Sequence, residues 1–415
     1  MTFMTTLSGD ESPTLLAGEV PFDISEMFFS RTDNCGVILA GSDVFRRVLG
    51  LDWENLVGSP HNVMRHADMP KGMFHIMWEH LKQGHAVGVY IKNRSKDGRF
   101  CWVFAVATPT DDGYLSVCLK PSSPILDKID EIYAQVVTAE ADGMTPAKSS
   151  QLLTELLQSE GYANYMVFQS LALVTEVTSR AKRMERPVEG WQTRFRLMAD
   201  SIMDIQNETE QMLHAFRSIR TVPMNMRILA SRLEDSGGPI SAISVNYGAM
   251  LGEMMSWVQS FSLGDDSPFA RIRNSILKGQ FLAFTALVQS DMVRLFNVRG
   301  ATVSADFDIK TENELLRKQT AHYRFMATRA LKIVELEVEH LARSVLDMKR
   351  YVTGLSSTRM MCKIESAMLE DSGDALAGIL DQLDYCQATT EMRLSRISEL
   401  NGLIQANTDM LKATA

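Results

Sequence analysis

Apolar positions change their rhythm once along this chain, near residue 124. Before that point, short runs rich in aromatic and branched residues predict strands: FFSRTD at 28–33 and GVILAGS at 36–42, split by the turn-forming pair Asp33 and Asn34. A helix-like piece over 43–49 follows. Between Lys71 and Lys82, the residues Phe74, Met77, Trp78 and Leu81 recur at steps of three and four, which predicts an amphipathic helix stopped by Gly84. VGVYIKN (87–93), FCWVFAV (100–106) and YLSVCLK (114–120) then read as three strands. The turn sequences Lys96-Asp97-Gly98 and Asp111-Asp112-Gly113 join them. The order of strands and helices predicts a compact α+β domain at 21–121, a five-stranded antiparallel sheet with flanking helices, behind a flexible tail at 1–20. The segment KPSSP (120–124) reads as an exit linker.

From residue 125 to 415 almost every apolar position falls at helical spacing, so this part is expected to be an all-α bundle with coiled-coil character. Phe195, Met198, Ile202, Ile205, Thr209, Met212, Phe216 and Ile219 keep a strict alternation of three and four. Ile240, Ile243, Tyr247, Met250, Met254, Trp257 and Phe261 repeat it after a break, which predicts a helical hairpin turning near 234–239. A second seam runs through Leu331, Val334, Val338, Leu341, Val345, Met348, Val352 and Leu355. Its partner helix can belong to the same chain or to a second copy, and a homodimer through the helices is the expectation. Further helices are expected over 269–297 and 376–411. Pro223 falls inside the first seam. Proline there either kinks a continuous helix or begins a new one in its first turn.

Composition narrows the function classes. The chain has 415 residues and a formal net charge of -9, which argues against nucleic-acid or anionic-membrane binding, since both call for a basic surface. Five scattered cysteines, Cys35, Cys101, Cys118, Cys362 and Cys386, suggest reduced thiols and a cytoplasmic setting. Neither a signal-peptide pattern nor an apolar stretch of about 18 residues is visible, so no membrane span is expected. The signatures GxSxG, HExxH and the P-loop are absent, and the chain is read as a non-enzyme. Methionine is abundant, at 26 residues, and several sit in the seams, where a flexible thioether tolerates repacking.

The candidate chemistry lies in HNVMRHADMP, residues 61–70. Arg65 offers a planar fork of donors for a phosphate or a ring carbonyl, and His66 can donate or accept according to its tautomer. Asp68 can hold Arg65 or accept from a hydroxyl. Trp78 and Trp102 offer flat apolar walls, and Asn93 both a donor and an acceptor. The same residues also read as a loop-fixing Arg65–Asp68 ion pair above two core tryptophans. Five of the eight histidines (His61, His66, His75, His80 and His85) fall in this region, and one neutral imidazole suffices to ligate haem b.

Several segments together resemble the PAS domain of bacterial aerotaxis receptors. They are SRTD (30–33), SDVF (42–45), GSPHNVMRHADMP (58–70), MFHIMW (73–78) and IKNRSKDGRFCWV (91–103). The resemblance covers about a quarter of the chain. It implies FAD as the cofactor, with Arg65, His66 and Asp68 in the binding loop; Trp78, Asn93 and Trp102 stay candidates on residue type, and Ser42 by its position. Ser42 stands where that family usually has a ligand-facing Asn, Ala67 replaces a Pro, Val87 a Trp and Cys101 a Tyr. Flavin, haem and a cofactor-free dimerisation module all remain open at this point.

A fainter similarity joins NMRILASRLEDSGG (225–238) to the signalling tip of methyl-accepting chemotaxis proteins, with Asn225, Ile228, Leu229 and Glu234 in register. It implies a chemotaxis coupling protein or histidine kinase as partner. The expected function is a soluble redox or oxygen sensor that passes the state of its cofactor to its helices.

Overall fold

The computed structural model describes residues 17–232, 237–262, 264, 267–299, 309–367 and 373–414. The tail as far as Leu16, the hairpin residues 233–236 including Glu234, Asp265 and Gly300 lie outside them. Contacts divide the chain into two compact units, one of residues up to Val188 together with Gln280–Ala327, the other of Glu189–Gly279 with Thr328–Ala415.

The first unit is built on five strands, β1 (Met27–Asp33), β2 (Ile38–Gly41), β3 (Val87–Arg94), β4 (Phe100–Pro109) and β5 (Gly113–Leu119). They form one antiparallel sheet in the order β2-β1-β5-β4-β3. Between β2 and β3 come α1 (Asp43–Leu49), α2 (Trp53–Leu56), a 3-10 turn (His61–Met64) and α3 (Lys71–Lys82). The helix expected from the spacing of Phe74, Met77, Trp78 and Leu81 has the predicted limits. Gly113 is required where β5 begins: an added Cβ would meet the Thr32 carbonyl oxygen at 1.9 Å.

Strands β3 and β4 are buried along nearly their whole length. A sheet covered on one face alternates between buried and exposed positions, and unbroken burial means both faces are covered. The 3-10 turn and α3 lie over one face. On the other lie α4 (Ile125–Glu140) and α6 (Tyr165–Arg183), joined through α5 (Pro146–Ser159), together with the part of α10 (Pro268–Arg299) from residue 280 onward and the start of α11 (Ile309–Ala367). Phe29 packs edge-on against Phe296 at 5.0 Å, Gln289 Nε2 donates to Thr108 Oγ1 at 3.3 Å, and Arg31 pairs with Glu312 at 2.8 Å.

The free edge of β3 is sealed by side chains. The Gly88 N–H donates to Gln169 Oε1 at 3.0 Å and its carbonyl accepts from the Tyr165 hydroxyl at 2.8 Å. The Tyr90 carbonyl accepts from the Tyr133 hydroxyl at 3.1 Å, while the Tyr90 hydroxyl donates to Glu176 Oε1 at 2.7 Å. Glu176 also receives the Ser122 and Ser123 amides and the Ser123 hydroxyl, so this one buried carboxylate ties the exit linker to β3. Buried polar groups cost free energy unless paired, and α4 and α6 supply the pairing that another strand would otherwise provide.

The second unit is helical. It contains α7 (Gly190–Ser218), α8 (Val222–Ala230), α9 (Gly237–Ser262), α12 (Gly373–Thr414), the first residues of α10 and α11 from residue 328 onward. Pro223 falls in the first turn of α8, so the chain breaks after α7 and the proline opens a new helix. The seam from Leu331 to Leu355 is buried at every one of its eight positions. No described helix is long and apolar enough to cross a membrane.

Candidate functional site

A cavity of about 240 Å³ lies between α3, the 3-10 turn and the sheet. Strand alternation decides which side chains reach it. Ser30 and Thr32 of β1, Ile91 and Asn93 of β3, Ala105 and Ala107 of β4, and Tyr114 and Ser116 of β5 all line it. The two alanines leave room beside β4. Phe74, Met77, Trp78 and Leu81 form the facing wall on α3, with Trp78 edge-on to Tyr114 at 5.2 Å. The 3-10 turn and the residue after it add His61, Asn62, Met64 and Arg65 to the lining.

The loop after the 3-10 turn lies along the free edge of β3. Arg65 and Asn93 form an antiparallel bridge, and the His66 N–H donates to the Lys92 carbonyl at 3.2 Å. The Arg65 guanidinium sits 4.5 Å from the Phe74 ring centre and donates through Nη2 to the Met69 carbonyl at 2.5 Å. Burial lowers its pKa from the ordinary value, with Glu140 opposing. Arg65 and Asn93, donors from two different elements, are thus neighbours along this edge and both line the cavity.

Of the residues expected from sequence, Arg65, Trp78 and Asn93 line the cavity, whereas Ser42, His66, Asp68 and Trp102 are placed outside its lining. Asp68 pairs with Lys92 Nζ at 2.6 Å rather than with Arg65, and that hydrogen bond holds its carboxyl below the usual range. His66 Nδ1 accepts from the Asp68 N–H at 3.2 Å. A nitrogen that accepts carries no proton, and burial pushes the His66 pKa down, so its 3.3 Å approach to the Asp68 carboxylate is not an ion pair. Trp102 falls at the opposite parity of β4 from Ala105 and Ala107; it packs against Tyr133 at 6.2 Å with Lys92 Nζ 5.5 Å from its ring centre. Ser42 precedes α1, and its buried hydroxyl accepts from the Phe29 N–H at 3.4 Å.

His61, named in the sequence only among candidate haem ligands, is the one histidine of the cavity lining. Its Nε2 lies 3.2 Å from the Ser30 hydroxyl, and burial pushes its pKa down to about 4, so the ring is neutral near pH 7. Ser30, Thr32, Tyr114 and Ser116 were legible only through parity, because all four share the face that carries Asn93. Among the described residues no cluster of three or more metal-ligating side chains occurs. Of the proposed docking residues on α8, Asn225 and Ile228 are exposed and Leu229 is half-buried.

A family profile for the PAS fold matches residues 38–118. The chain is 32% identical over 126 residues to the aerotaxis receptor of Escherichia coli (strain K12), which covers 29% of this chain and 25% of that receptor. The match therefore spans about a quarter of the receptor's length. Residues 38–118, which hold β2 to β5, α3 and the loop 61–70, match the PAS fold, and a long helical region follows them in this chain.

Proposed function

We propose that this chain is a flavin-holding redox or oxygen sensor, with FAD as the cofactor and its ring system in the cavity between α3 and the sheet. One observation carries the reading: a cavity lined largely by apolar side chains, among them Ala105, Ala107, Phe74 and Trp78, also has Arg65 and Asn93 in its lining, donors from two elements. Ligand sites combine apolar walls with a few convergent polar groups in this way. The size of the cavity, about 240 Å³, suits a flat ring better than a whole dinucleotide, which leaves the remainder of FAD outside it. When bound, the flavin supplies reversible electron uptake. The protein's part is to hold the ring, donate to its polar edge and bury it. A change in the charge or protonation of the ring alters what Arg65 and Asn93 must satisfy, and only such differential interaction can shift the protein between states.

The relay runs through β3, which lends Ile91 and Asn93 to the cavity on one face and Gly88 and Tyr90 to α4 and α6 on its edge and other face. The output is a signalling partner of the chemotaxis type, a coupling protein or histidine kinase, docking on the exposed side of α8 at Asn225 and Ile228, in a cytoplasmic homodimer. Haem b is the second reading, favoured by the neutral His61 imidazole in the cavity lining.

Purified full-length protein should be yellow, with flavin absorption that survives desalting. Arg65→Ala should lower FAD retention about tenfold, the scale of a lost charged hydrogen bond. Trp102→Leu should leave retention as in the wild type, because Trp102 lies on the other face. Protein that stays colourless after incubation with FAD overturns the flavin reading, and a Soret band in its place supports haem.

A further inference from the structure

Glu140 ends α4, outside the segment that matches the PAS fold, yet it is only 9% exposed and its Oε1 serves α3. That oxygen accepts from the Lys71 N–H at 2.6 Å, the Gly72 N–H at 3.2 Å and the Ser149 hydroxyl at 2.5 Å. The amides at a helix N-terminus lack intrahelical partners and form the positive end of the helix dipole, so a carboxylate there is stabilising. Helix α3 cannot provide one locally: Pro70 occupies its N-cap and its first turn holds no acidic residue. The cap comes instead from 69 residues further along the chain. Ser149 of α5 braces it from the other side, donating to Glu140 and accepting from the Gly72 N–H at 3.0 Å. Here α3 and α5 touch so closely that a Cβ on Gly72 would lie 2.4 Å from the Ser149 backbone.

The helix fixed in this way carries Phe74 and Trp78, the wall of the cavity that faces the sheet. We propose that Glu140 is a positioning residue for the cofactor cavity: its carboxylate, braced by Ser149, sets where α3 stands over the sheet, so that a segment outside the PAS domain governs ligand affinity. The identity of the ligand rests on the flavin reading above; the positioning of α3 does not.

The test uses the full-length chain and Glu140→Gln, which keeps the shape of the side chain and removes its charge. Amide hydrogen exchange over Lys71–Lys82 and titration with FAD are the two measurements. In the variant, exchange should quicken along the whole of α3, through Trp78 to Leu81, and the FAD dissociation constant should rise about tenfold, as expected for one charged cap lost. Ser149→Ala should move both in the same direction by less. Glu176→Gln, which breaks the network at the far edge of β3, should leave α3 exchange as in the wild type.

Faster exchange confined to residues 71–73 would overturn the proposal, as would quickened exchange with FAD affinity unchanged, or equal loosening of α3 in Glu176→Gln. A wild-type chain that takes up no FAD sinks the flavin reading alone, and the exchange pattern then decides the role of Glu140.

Discussion

His61 shows how the cavity changes the chemistry of a single side chain. Its imidazole is half-buried beside Ser30 and stacked at 6.4 Å on Phe45, and burial disfavours the charged form, so its pKa falls from about 6.5 in the unfolded chain to about 4. Between those two values the unfolded chain binds the proton and the folded one does not, so stability is complete above pH 6.5 and is lost as the pH falls toward 4. His61→Gln should flatten that slope, losing about 2 kcal/mol less than the wild type between pH 7 and pH 4.5 in urea titrations. Equal slopes would place the imidazole in contact with water. At this scale residue type and motif located only part of the cavity: Arg65, Trp78 and Asn93 are in its lining, whereas His66 and Asp68 of the same loop are not. Trp102 has the same chemistry but the wrong parity, since it is offset by an odd number of residues from the cavity-facing Ala105 and Ala107, and an aromatic side chain carries no mark of the face it takes. The pairing of Asp68 with Lys92 in place of Arg65 was equally hidden, because Lys92 comes within reach only once the loop lies along β3.

Strand β3 is the element on which the two sides of the domain meet. Its backbone is bonded to β4 along one edge and, along the other, to the loop at Arg65 and His66 and to side chains of α4 and α6, so none of the described partners of Gly88 and Tyr90 on that edge is a strand. An exposed strand edge invites pairing with another chain, and helices that bond to it remove the invitation. Gln169 is itself fully buried, which leaves the Gly88 N–H no water to turn to if the bond is lost. Gln169→Leu should therefore cost about 1–3 kcal/mol in a urea titration, the penalty of a buried donor left unpaired. A loss below about 0.5 kcal/mol would show that this edge is held by packing alone. The elements themselves were legible in the sequence: period-two and continuous apolar runs gave the strands, and the three-four spacing gave α3. What covers the outer face of the sheet was not. Apolar periodicity says that a face is buried, and says nothing about which distant helix buries it, so the return of α10 and α11 residues to the sheet at Phe296, Gln289 and Glu312 had no local signature.

Across the molecule, α10 and α11 each contribute residues to both compact units as single unbroken helices, and the long seam of α11 belongs to the second. The sequence left open whether that seam closes within one chain or between two. In the structure the chain's own helices close it: Asn401 of α12 donates to the Val338 carbonyl at 3.0 Å, Lys412 pairs with Glu335 at 2.6 Å, Arg359 with Asp384 at 2.5 Å, and His340 stacks on Phe261 of α9 at 6.0 Å. Periodicity could not decide this, because a heptad stripe looks the same whichever helix it meets. The consequence is measurable. If the seam is internal, Leu341→Ala removes a buried side chain from a core that exists in each copy, and should cost about 2–5 kcal/mol. That loss should be the same at every protein concentration, since unfolding of an internal core involves no change in the number of molecules. A seam shared between two copies would behave otherwise: the midpoint would rise with concentration, and the variant would dissociate before it unfolds. Thermal melts of wild type and Leu341→Ala over a hundredfold range of concentration separate the two, and a homodimer, if it forms, must then use a surface other than this seam.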